Sequence, residues 1–126
     1  MPIDYQRDDR RRLITATLTD PVSFQDLTGQ TDRQWADDAW DYAILYDSRG
    51  TSAVRPHEEI QRLIDHTRSV GGERPRGPVG VAIPPRPDLL RQGLDLADRA
   101  GPVRDIEILL NETQLSSWLV RHAARR

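Results

Sequence analysis

Stretches of two-residue hydrophobic alternation and stretches of 3.6-residue spacing take turns along this chain, and proline, glycine or an acidic turn separates most neighbours. That rhythm restricts the fold more than any other feature, because strands read by period two and helices by i, i+3, i+4, i+7. Ile3 and Tyr5 alternate with Asp4 and Gln6, predicting a strand over 3–7, and β-branched Ile14, Thr15 and Thr17 predict a second over 12–18. The polar run from Asp8 to Arg11 suits a hairpin turn. Asp20 as N-cap with Pro21 at the first helical position announces a helix with Phe24, Leu27, Thr31 and Trp35 on one face, fading near Asp37 and Asp38. An apolar run over 42–46 is a third strand, ended by Asp47-Ser48-Arg49-Gly50. Pro56 then opens a helix carrying Ile60, Leu63, Ile64 and Thr67, which Gly71-Gly72 ends.

A loop over 73–78 leads to a lopsided fourth strand over 79–83, with Val79, Val81 and Ile83 on one side and Gly80 and Ala82 on the other. Proline-rich 84–87 stops it, Leu89, Leu90, Leu94 and Ala97 mark a third helix, and Gly101-Pro102 terminates that. Residues 104–110 form the fifth strand, with Ile106, Ile108 and Leu110 facing one way. Asn111 caps a last helix with Gln114 three residues on, and Leu115, Trp118, Leu119 and His122 form its face. The expected fold is α/β: an N-terminal β-hairpin, then four βα units, giving a mainly parallel five-stranded sheet. Because one face of the fourth and fifth strands carries glycine, alanine or acids, most helices are expected on the other face. Residues 1–126 are expected to make one domain.

Composition removes whole classes of chemistry. There is no cysteine, and every one of the eighteen basic residues is arginine. Without lysine there is no Schiff-base nucleophile and no phosphate-loop lysine, and without cysteine no thiolate site. The formal charge of -2 and the scattering of arginine among fifteen aspartates speak against a nucleic-acid partner. No apolar stretch reaches the ~20 residues of a membrane span, no secretory leader is seen, and the cytoplasm is the expected compartment. His57-Glu58 lacks the second histidine of a zinc helix motif, and no nucleophile elbow is present, so no catalytic residue, metal or cofactor is expected.

Two clusters remain. Ligands of open α/β sheets bind at the carboxyl ends of strands, which gathers Asp47, Ser48 and Arg49 with Arg86 and Asn111 as candidate ligand residues for a lipid or anionic metabolite. Trp35, Trp40, Tyr42 and Tyr46 are candidate interface residues, for a protein partner or a homodimer, if they lie on a sheet face that helices leave bare.

The hairpin followed by four βα units, the opening Met1-Pro2-Ile3-Asp4-Tyr5 with Arg12-Leu13-Ile14, and the strand Ala43-Ile44-Leu45-Tyr46-Asp47 together resemble the STAS domain of anti-sigma-factor antagonists. They are most similar to short uncharacterised bacterial SpoIIAA-like proteins, and the likeness covers nearly the whole chain. It implies a non-catalytic regulatory or protein-interaction module. In phosphorylation-switched members a serine followed by glycine opens the helix after the central strand. Here Val54-Arg55-Pro56-His57-Glu58 stands at that place, so the usual phosphoserine switch is not expected.

Overall fold

A computed structural model describes residues 2–52, 54–100 and 105–123. Its elements run β1 (Ile3–Asp8), β2 (Leu13–Thr19), α1 (Phe24–Ala36), β3 (Ala43–Gly50), α2 (His57–Gly71), β4 (Val79–Ala82), α3 (Pro87–Ala100), β5 (Ile106–Leu109) and α4 (Glu112–His122). The strands form one mixed sheet in the order β1-β2-β3-β4-β5, with β1 antiparallel to β2 and every other pair parallel. Sequential neighbours joined by right-handed crossovers put successive helices on the same side. Accordingly α1 packs on α2, α2 on α3 and α3 on β5.

Register sorts the sheet into two faces. Ile14, Ile44, Val79 and Ile106 lie in one row, and Ala16, Tyr46, Val81 and Ile108 in the next, beneath α1, α2 and α3. The opposite face carries Leu45, Gly80, Ala82 and Leu109, and α4 covers it. The small residues of β4 have a packing reason: a Cβ on Gly80 would lie 2.7 Å from Cε2 of Trp118, whose ring is fully buried. The lopsided strand therefore marks the seat of a tryptophan. His122 rests against that ring, 5.3 Å between centroids.

Several boundaries differ from the sequence expectation. Helix α1 begins at Phe24 under a capping box in which Ser23 Oγ accepts from Asp26 N–H and the Asp26 carboxylate accepts from Ser23 N–H. Asp20 instead accepts from the N–H and hydroxyl of Ser52, so its carboxylate organises the loop after β3. The buried stripe of α1 is Gln30, Thr31 and Gln34, while Trp35 is 39% exposed, a rotation of about one residue from the expected face. Strand β5 stops at Leu109, which is buried on the α4 side, leaving Leu110 exposed. The expected terminator Gly101-Pro102 and the start of the fifth strand at Arg104 lie outside the described residues.

Candidate functional site

The strand-end loops close on themselves. Asp47 accepts from Arg49 Nε at 2.9 Å and Nη2 at 2.8 Å, and the same guanidinium reaches Glu112 at the start of α4. Ser48 Oγ donates to Ala82 O at 2.7 Å, tying β3 to β4. Arg86 donates to Asp88 and to Ser52 O, and Asn111 Oδ1 accepts from Gln114 N–H as the cap of α4. Gln114 Oε1 completes that cap by accepting from Leu110 N–H. The structure thus assigns the five candidate ligand residues Asp47, Ser48, Arg49, Arg86 and Asn111 to internal pairs and caps.

Arg49 holds the Asp47 carboxyl below the ordinary carboxylate range, through its side-chain hydrogen bonds against the opposing effect of burial. A lowered folded pKa means that this contribution is fully present above the unfolded value and is lost as pH falls through the folded one. Asp47→Asn is therefore expected to cost about 1 kcal/mol or less at pH 7, as surface ion pairs do. In thermal melts the gap between this variant and the parent closes below about pH 4. A gap that does not narrow on acidification below about pH 4 means that the carboxylate charge is not its source.

Nor do the four candidate interface residues form an exposed patch. Trp40 is 1% and Tyr42 7% exposed, Tyr46 is half-buried, and all lie on the helix-covered side. Each of the four also carries a guanidinium over its ring: Arg74 over Trp35, Arg76 over Trp40 and Tyr46, and both Arg7 and Arg12 over Tyr42, at 4.9 to 5.7 Å. A planar guanidinium stacks where an ammonium does not, which gives the arginine-only composition a structural use. Tyr42 further donates to Asp9 at 2.6 Å, and that bond with the Arg7 contact holds the Asp9 carboxyl low.

A concave feature of mainly apolar lining lies deeper. Between the sheet and α1, α2 and α3 is a cavity of about 180 Å³ that runs from Ser48 and Ile83 at the carboxyl ends of the strands to Val79 and Ile106 at their amino ends. Its walls are mainly aliphatic, with Leu27, Ile60, Ile64, Val81 and Leu96 among them. Polar side chains stand at both ends, Asp20, Ser48, Thr51 and Arg55 towards the carboxyl ends of the strands and Arg76 towards their amino ends. Arg76 donates through Nε and Nη2 to Gln34 Oε1, at 2.9 and 2.6 Å, and through Nη2 to Tyr46 Oη at 2.7 Å. Tyr46 Oη in turn donates a hydrogen bond to Gln30 Oε1, and Gln34 Nε2 donates to Ala39 O at 2.9 Å. Both glutamines are buried, so their partners in this network decide which side of α1 faces inward.

Of the residues singled out from the sequence, Ser48 and Tyr46 border the cavity. Arg76, Gln30 and Gln34 were missed. Glutamine at i and i+4 beside Leu27 and Thr31 is the one signal that pointed to them. His66 and His57 bridge helices instead, to Asp32 of α1 at 2.8 Å and to Asp95 of α3 at 3.3 Å. Among the described residues no three metal-ligating side chains converge, and no helix is long and apolar enough to cross a membrane. Compared with known proteins, the chain matches no family model, no curated protein and no solved structure.

Proposed function

We propose that this chain works by binding, as a module of SpoIIAA-like architecture that holds a small organic molecule between its sheet and its three-helix layer. What supports this is the cavity. Its mainly aliphatic lining is in part open to solvent, so an apolar ligand seated there removes that surface from water, a gain of about 25 cal/mol per Å² buried. The size is also informative, because an engineered apolar cavity of about 150 Å³ takes up benzene.

Benzene added to the purified protein is therefore expected to bind saturably and to raise Tm by several degrees at concentrations well above Kd. Val81→Phe, which places a ring in the same space, is expected to abolish that shift while itself melting no lower than the parent. Leu63→Phe, entering from α2, serves where Val81→Phe overpacks. No saturable binding of benzene to the parent protein overturns the proposal.

Element order and sheet order also support a second reading, in which the module acts on a protein partner as its resemblance to anti-sigma-factor antagonists implies. In that case the ligand is what the partner responds to.

A further inference from the structure

The geometry points to a ligand class: a small organic acid whose apolar body lies along β3 and β4 and whose carboxylate is read by Arg76. This rests on the cavity being a binding site, and adds the chemistry of its Arg76 end.

Arg76 is half-buried and borders the cavity, yet each of its hydrogen-bond partners is neutral. It has no ion-pair partner among the described residues, whereas the cavity's other arginine, Arg55, is paired with Glu59 and capped by Val22 O. Asp20, the cavity's acidic residue, is exposed and already accepts from Ser52. The guanidinium is pinned from two sides, by the rings of Trp40 at 5.1 Å and Tyr46 at 5.7 Å and by the Gln34 carbonyl. Its Nη1 donors have no protein acceptor among the described residues. A fixed, partly desolvated guanidinium whose Nη1 donors are free favours an anion, which it can engage through charge-assisted N–H···O bonds from Nη1. The mainly aliphatic middle of the cavity favours an apolar body over a polyol or a phosphate ester, whose polar groups would be desolvated there. The volume of about 180 Å³ suits a body of about one six-membered ring or a chain of similar size.

The test compares acids with neutral isosteres: benzoate against benzamide, and hexanoate against hexanamide, each titrated into the full chain by calorimetry. The acid is expected to bind about tenfold or more tightly than its amide, the increment of a charge-assisted hydrogen bond. In Arg76→Gln that preference is expected to fall to about twofold or less with the amide affinity unchanged, and Val81→Phe removes both ligands. Equal affinity of acid and amide for the parent protein overturns the assignment and leaves the cavity proposal standing. Binding of neither overturns the cavity proposal itself. Should Arg76→Gln fail to fold, the Arg76 side-chain Nε–H resonance of the parent decides: it shifts on adding benzoate and not benzamide if Arg76 is the reader. An unshifted resonance overturns the role.

Discussion

Trp118→Ala is expected to lower stability by about 3–5 kcal/mol, which for a chain of this length is a fall in Tm of roughly 10–20 °C. The ring is fully buried between α4 and the sheet, and the surrounding core of Leu13, Leu45 and Leu109 cannot collapse into the space that it leaves. Its indole N–H has no protein acceptor among the described residues, so the contribution is packing alone. The partner substitution acts through the same contact. Gly80→Ala puts a methyl 2.7 Å from the ring and is expected to cost about 1–3 kcal/mol, because Trp118 must move for it. In the Trp118→Ala background the same methyl fills space, so Gly80→Ala becomes neutral or stabilising. Denaturant midpoints of the four proteins measure this coupling. Additive losses would show that Gly80 and Trp118 do not meet.

That contact also shows what sequence patterning conveys and what it omits. The β-β-α-β-α-β-α-β-α order was legible because proline and glycine punctuate it and each segment keeps its own period. The lopsidedness of β4 was legible too, but its cause was not. Small residues on one face are equally consistent with a bare face and with a face tightly covered, and only the position of α4 separates them. Strand β5 illustrates a second limit. Ile106, Ile108 and Leu110 share a parity, but β5 ends at Leu109, so Leu110 lies beyond the sheet and is exposed, while Leu109 is buried on the opposite face because α4 covers it.

The candidate site was the least legible part, for a physical reason. Sequence patterning assigns glutamine and arginine to solvent, since burying them is costly unless they find partners. Gln30 Oε1, Gln34 Oε1 and Arg76 find partners in one network with Tyr46, across separations of 16 to 42 residues that no local pattern records. The strand-end residues were legible as charged and clustered, but in pairs such as Asp47 with Arg49 they neutralise one another.

Gly77→Ala is expected to be among the most damaging single changes, costing about 3 kcal/mol or more. A Cβ there would lie 2.2 Å from Tyr42 O and 2.6 Å from Asp41 O, both main-chain atoms, so no side chain can swing aside to relieve the clash. The close approach also carries a hydrogen bond, from Gly77 N–H to Trp40 O at 2.9 Å. Relief requires the segment before β4 to lift from the main chain that leads into β3. Arg76 adjoins that point, so the same displacement withdraws its guanidinium from Trp40 and Tyr46. In conditions where Gly77→Ala remains folded, its preference for benzoate over benzamide is therefore expected to fall towards unity, with benzamide still bound along β3 and β4. A parent-like denaturation midpoint would mean that the main-chain approach at Gly77 is looser than the structure shows. A destabilised but folded variant that keeps the preference would mean that the contacts of Arg76 with Gln34, Tyr46 and Trp40 hold its guanidinium in place whatever the main chain at Gly77 does.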